Sequence, residues 1–154
     1  MKTFLRAIAL LAVIICSGAC SDNSDDYTPA NLEVTPHNIS GYWVLTEFNG
    51  MKAPEGTYCY IEYIRKDRKF KIYQKFDSMY PRCITGVYSI EKDKKKGYIL
   101  SGIYDFGMGE WNNKYIVTEL LENSMLLTSD SEVAEICRYE RCNEIPADII
   151  EQAK

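Results

Sequence analysis

Residues 69–76, "KFKIYQKF", decide the fold. Phe70, Ile72 and Phe76 fall on even positions, and Lys69, Lys71 and Lys75 on odd ones. Successive side chains of a strand point to opposite faces, so a period of two gives one apolar and one charged face. Similar β-rich runs extend in both directions from Gly41 onward: "GYWVLTEF" (41–48), "TYCYIEYI" (57–64), "CITGVYSI" (83–90), "GYILSGIY" (97–104), "KYIVTELL" (114–121), "SMLLTS" (124–129) and "EVAEICRYE" (132–140). With the first, these make eight predicted strands, punctuated by turn residues. "RKDRK" (65–69), "KDKKK" (92–96) and "ENS" (122–124) read as tight polar hairpin turns. In "EIPADIIEQAK", Pro146 suits a first helical position and Ile149 and Ile150 follow, which predicts one short C-terminal helix.

Eight consecutive antiparallel strands most simply form an up-and-down meander closed into a barrel, an all-β fold that leaves no exposed sheet edge. A flattened sandwich is the alternative. The length of 154 residues, with 46% apolar and 26% charged content, suits one domain with a real core. The twelve tyrosines suit strands that are wet on one face and dry on the other.

A meander also sorts its connections. Strands alternate in direction, so the three tight turns lie at one end with both chain ends of the barrel. The opposite end carries "NGMKAPEG" (49–56), "DSMYPR" (77–82), "DFGMGEWNN" (105–113) and "SDS" (129–131). Any ligand is expected there, against Met51, Met79, Tyr80, Phe106, Met108 and Trp111, because methionine and aromatic side chains make adaptable apolar surface. The same residues could instead fold inward and plug the barrel, since eight strands leave an interior that side chains can fill.

The N-terminus carries Lys2 and Arg6, an apolar run from Ala7 to Ile15 and small residues Ser17, Gly18 and Ala19 before Cys20, the pattern of an export signal over residues 1–19. The run is too short to span a bilayer. "SGAC" (17–20) resembles the lipobox of bacterial lipoproteins, which implies cleavage before Cys20 and a lipid on its thiol. Ile15 is too bulky for Cys16 to serve in that way. Residues 20–38 then read as the lipidated cysteine and an acidic, flexible linker, with the barrel domain at 39–154. Asp22, Asp25 and Asp26 resemble the surface-export signal of Bacteroidetes lipoproteins. Loss of Lys2 and Arg6 with the leader leaves 16 basic against 22 acidic groups, so a phosphate-binding basic face, and with it nucleic acid, is not expected.

"SGYWVL" (40–45) has the Gly-x-Trp pattern that opens the first strand of lipocalins. Together with "FKIYQK", "TGVYSI", "LSGIYD" and Trp111 followed by "YIV", the span 41–146 resembles the lipocalin-like lipoproteins of Bacteroidetes. The resemblance implies an eight-stranded barrel with a possible cavity and no particular activity. It also implies structural roles for Gly41 and Trp43, with an arginine of the last strand over the indole. Arg141 matches that arginine better by position than Arg138, although the two have opposite strand parity.

Cys59, Cys83, Cys137 and Cys142 remain in the body, and an exported chain permits disulfides. Cys59 with Cys83 is the first pairing expected, both opening strands at the loop end; reduced thiols are the alternative. No catalytic residue, metal site or cofactor is expected, because the single His37 lies in the linker and "CRYERC" lacks Cys-x-x-Cys spacing. The sequence therefore leaves two readings of a non-enzymatic lipoprotein of the bacterial outer membrane. One binds a small apolar molecule or glycan at the barrel mouth, and the other contacts or inhibits an envelope protein with its barrel filled.

Overall fold

The structure, a computed structural model, describes residues 30–76 and 78–153. The expected leader and Cys20 lie outside the described residues. The strands are β1 (Gly41–Phe48), β2 (Met51–Lys52), β3 (Cys59–Ile64), β4 (Lys69–Gln74), β5 (Arg82–Asp93), β6 (Gly97–Tyr104), β7 (Tyr115–Leu120), β8 (Ser124–Ser129) and β9 (Ile136–Cys142). The helices are α1 (Pro36–Ile39) and α2 (Ala147–Gln152). β2 only turns back along the end of β1, with Phe48 opposite Met51. The other eight pair antiparallel in chain order, and β9 returns to β1 with Trp43 opposite Arg141. That last pairing closes the up-and-down barrel and excludes the open sandwich.

The alternation of "KFKIYQKF" becomes the barrel wall: Phe70 and Ile72 pack inward while Lys69 and Lys71 lie on the outside. Tyr73 shares the outer face with the lysines yet is buried, because Ile145 and Ile149 from the α2 end pack on it. Two register shifts change which parity faces inward, one between Leu45 and Glu47 and one between Val117 and Glu119. Trp43 and Leu45 point in before the first shift and Phe48 after it; Val117 does so before the second and Leu120 after it. An extra residue in one strand re-aims everything beyond it.

The tight-turn end is filled. Ile39, Trp43, Phe70, Leu100, Leu120 and Met125 are essentially inaccessible there. The chain before β1 contributes to this floor: the Leu32 amide donates to the Leu120 carbonyl at 2.7 Å, and Val34 and Ile39 are buried. Thr35 caps α1 by accepting from the Asn38 amide at 3.1 Å, with Pro36 at the start of the helix. Leu32 and Val34, expected within the linker that ran to Asn38, are thus joined to this floor, because Val34 has apolar surface to bury.

Three smaller differences have local causes. Pro146 precedes α2 as its cap rather than opening it. β9 begins at Ile136 rather than 132, since Ser129 Oγ accepts from the Glu135 amide at 2.8 Å and lengthens the turn after β8. The Cys59–Cys83 disulfide does not form: Cys59 lines the interior, whereas Cys83 sits opposite the outward Tyr73 with β4 between them. Cys137 faces in and Cys142, five residues on and opposite Tyr42, faces out. Among the described residues no two cysteines lie at disulfide distance.

Candidate ligand cavity

Above the filled floor the barrel is hollow. A cavity of about 770 Å³ runs from Tyr63, beside the floor, to the long-loop end, within the usual size range of small-molecule sites. Its wall is rich in rings, among them Phe48, Tyr63, Tyr104, Trp111, Tyr115 and Tyr139, with Leu45, Ile61, Ile72 and Leu127 between them. Among the described residues, the charged side chains in the lining are Arg82 and Glu135. Both begin or precede strands at the mouth. The Gln74 amide oxygen accepts from Arg82 Nη2 at 2.7 Å and Nε at 3.0 Å, and Asn113 Nδ2 lies 3.5 Å from Glu135 Oε2.

Of the six residues expected at the mouth, Met108 and Trp111 line the cavity. Met51, Met79, Tyr80 and Phe106 do not; they stand on the rim facing solvent, Phe106 93% and Met79 83% exposed. Phe106 occupies a turn at φ 60° beside Gly107 at φ 72° and Gly109 at φ 87°, a left-handed run that carries its ring away from the barrel.

Trp111 is held by the strand behind it. Its amide donates to the Gly102 carbonyl at 2.9 Å, and the Tyr104 amide donates to the Gly109 carbonyl at 2.8 Å. Loop 105–113 thus serves as an extra rung beside β6, where β6 and β7 pair at only two positions, Ile99 with Ile116 and Leu100 with Tyr115. A Cβ on Gly102 would come within 2.3 Å of Trp111 Cε2, so only glycine lets the indole lie this close. Phe70 at 5.1 Å and Tyr115 at 6.1 Å meet the indole edge to face.

The strand interior supplies groups that attention to the loops had missed. Burial pushes the Tyr115 hydroxyl up to about 12 and the Cys137 thiol up to about 11. The Tyr63 and Tyr139 hydroxyls are raised as well, again chiefly by burial. All four are neutral hydrogen-bond donors at physiological pH. Cys59 Sγ lies 3.9 Å from Tyr139 Oη, whereas Tyr63 Oη is buried with no hydrogen-bond partner. The signal for these residues was parity: Cys59, Ile61 and Tyr63 share the inward face of β3, as Cys137 and Tyr139 share that of β9.

At the floor, Arg141 Cζ lies 4.1 Å from the Trp43 ring centroid. Its Nη1 donates to the Ser40 carbonyl at 2.7 Å, Nη2 to Asn38 at 2.8 Å and Nε to Glu122 at 2.8 Å. Trp43 Nε1 donates to the Ile39 carbonyl at 2.8 Å. Arg138 has the other parity and instead bridges Glu47 and Glu119, both at 3.3 Å. Gly41 sits at φ 114° where a Cβ would meet Arg141 Nη1 at 2.8 Å, so its place below the guanidinium requires glycine. These contacts are structural and lie below the cavity.

Among the described residues no three of His, Cys, Asp or Glu converge as metal ligands would, and no helix is long and apolar enough to cross a membrane. Comparison with protein-family models, with curated proteins and with solved structures finds no match to this chain.

Proposed function

We propose that this protein is an exported lipoprotein whose lipocalin-like barrel holds one small, mostly apolar molecule, which it binds without transforming. The observation that carries this reading is the aromatic-walled cavity of about 770 Å³, open at one end of a barrel whose other end is packed solid. Lipid on Cys20 would tether the closed end, because the described chain enters beneath Trp43. The mouth would then face away from an outer-membrane anchor. Several acyl chains at roughly 0.8 kcal/mol per buried methylene give lasting attachment. Intact mass of the detergent-extracted protein tests the anchor: an unacylated chain, or one retaining Cys16, contradicts it.

The binding step is tested with N-phenyl-1-naphthylamine, a neutral dye that brightens in apolar surroundings. Saturable binding of one dye per barrel is expected, together with a change in Trp111 emission. Ile72→Trp, which places a larger side chain in the cavity wall, should weaken it at least tenfold. No saturable binding, or equal binding by the filled variant, overturns the reading.

A second reading is favoured by the rim, where Met51, Met79, Tyr80, Phe106 and Val133 are exposed together with Met108. Exposed apolar residues gathered at one end mark a contact surface, here for an envelope protein that the barrel assists or inhibits. Phe106→Ser with Met79→Ser leaves the cavity wall intact. Loss of a co-purifying envelope protein with unchanged dye binding would favour this role for the rim.

A further inference from the structure

We propose that the closed end of the barrel is a docking face for a bilayer of anionic phospholipid, seated through the hairpin turns 65–69 and 92–96. This deepens the reading that a lipid on Cys20 tethers that end, by adding an electrostatic contact beside the anchor. The two turns, "RKDRK" and "KDKKK", hold eight basic residues against Asp67 and Asp93, and all ten are exposed. Residues 20–154 carry 16 basic and 22 acidic groups, which leaves eight basic against twenty acidic outside the two turns. A chain that is acidic as a whole thus collects half of that positive charge in ten residues at one end.

Most of this charge is left available. Among the described residues Lys66, Arg68, Lys69, Lys94 and Lys95 enter no ion pair, whereas Lys71, Lys96 and Arg138 do. Asp93 is engaged with the backbone, accepting from the Lys95 amide at 2.7 Å and the Lys96 amide at 2.8 Å, bonds that hold its turn folded. The chain before β1 runs past both turns: Arg65 Nη1 lies 3.4 Å from His37 Nδ1, and Tyr98 Oη donates to Glu33 Oε1 at 2.9 Å. Cys20 lies ten residues before Ala30, where the described chain begins, and ten residues span at most about 36 Å. A lipid on Cys20 therefore keeps the turns close to the bilayer, where each lysine or arginine near an anionic surface strengthens binding about fivefold. The long-loop end has no such surplus, since Lys52, Arg82 and Lys114 are exposed there among Glu55, Asp105, Glu110 and Glu132. An anionic surface thus attracts one end of the barrel and turns the cavity mouth away from the lipid.

The experiment is flotation of the protein with vesicles of phosphatidylcholine alone or with about one-third phosphatidylglycerol. Expression without residues 1–19 keeps every described residue and leaves Cys20 unacylated, so docking is read apart from the anchor, which intact mass tests. The expected result is binding to the anionic vesicles at least about tenfold above phosphatidylcholine alone at about 0.1 M salt. Most of it should be lost at about 1 M salt, where the screening length falls from about 10 Å to about 3 Å. Lys66→Glu with Lys94→Glu and Lys95→Glu should bring binding down to the phosphatidylcholine level. Lys52→Glu with Lys75→Glu and Lys114→Glu makes the same change in net charge at the long-loop end and should keep most of the binding. No preference for anionic vesicles, a preference that survives about 1 M salt, or an equal loss in the two triple variants overturns the docking face, while the anchor and the cavity stand. The lipid and salt comparisons use the unsubstituted chain, so they decide even where a variant fails to fold.

Discussion

Replacing Arg141 by methionine tests whether one side chain holds the barrel floor together. Methionine keeps an unbranched stem over Trp43 and removes the charge and all three donors. The loss comprises two part-buried hydrogen bonds, to Ser40 at 2.7 Å and Asn38 at 2.8 Å, and one exposed bond to Glu122. A hydrogen bond from a charged donor is worth about 1.5–3 kcal/mol net, and the cation–π contact adds about 0.5–2 kcal/mol. The exposed bond counts for little, since water replaces it. Water also reaches the half-buried guanidinium once it is gone, so the sum of about 3.5–8 kcal/mol is an upper bound. A loss of about 2–4 kcal/mol is the reasonable expectation, a large part of the stability of a domain this size. Urea unfolding followed by Trp43 and Trp111 emission should show the midpoint falling at unchanged slope. Dye affinity should hold, because the floor lies below the cavity. A change under about 0.5 kcal/mol, the level of an ordinary surface substitution, would refute the role given to Arg141.

Three further outcomes follow from the same geometry. Gly102→Ala should drive Trp111 off the wall and weaken dye binding severalfold, since its Cβ would sit 2.3 Å from the indole; unchanged Trp111 emission would count against the close packing. Alkylation of the native protein at pH 8, mapped by mass spectrometry, should reach exposed Cys83 well before buried Cys137, whose thiol at about 11 is only about one part in a thousand thiolate; equal rates would contradict the burial. Stability should fall as pH rises above about 10, where an unfolded tyrosine ionises. Burial raises the Tyr63 and Tyr139 hydroxyls in the fold and pushes Tyr115 up to about 12, so the unfolded chain binds fewer protons and the slope of unfolding free energy against pH is negative. Urea midpoints between pH 8 and 11 measure this, Tyr115→Phe should flatten the decline, and a level profile would be inconsistent with it.

The strands were legible because alternation is a local property: "GYWVLTEF", "GYILSGIY" and "SMLLTS" form β1, β6 and β8 at the residues read from sequence. Arg141 was legible through the position of its partner Trp43, and parity then separates it from Arg138. What was lost depends on contacts between distant segments. Val34 reads as linker because only the assembled floor gives it something to bury against. Tyr73 reads as a solvent-facing residue among lysines until α2, more than seventy residues later, covers it. Phe106 and Met79 have the composition of a binding wall, but the direction of a loop side chain is set by backbone angles that composition does not encode.

Whether the barrel is hollow does not follow from its eight strands, which side chains can fill completely. Where the rings lie decides it, and two glycines in adjacent strands set the place of some of them. Gly86 lies opposite Tyr104 across β5 and β6, and opposite Phe70 across β4 and β5; Gly102 lies opposite Tyr88. Glycine weakens a strand and marks a place where something approaches the backbone closely. Here a Cβ on Gly86 would come within 2.1 Å of the Ile103 carbonyl oxygen and 2.7 Å of Phe70 Cζ, and one on Gly102 within 2.3 Å of Trp111. The Trp111 indole therefore lies back against the wall, and Phe70 of the filled floor braces it at 5.1 Å. A larger residue at Gly102 would push the indole away from β6, while one at Gly86 would first meet the β6 backbone itself. The part of the cavity wall made by Trp111 thus depends on the missing side chain at Gly102, a contact between strand and loop that neither segment shows by itself.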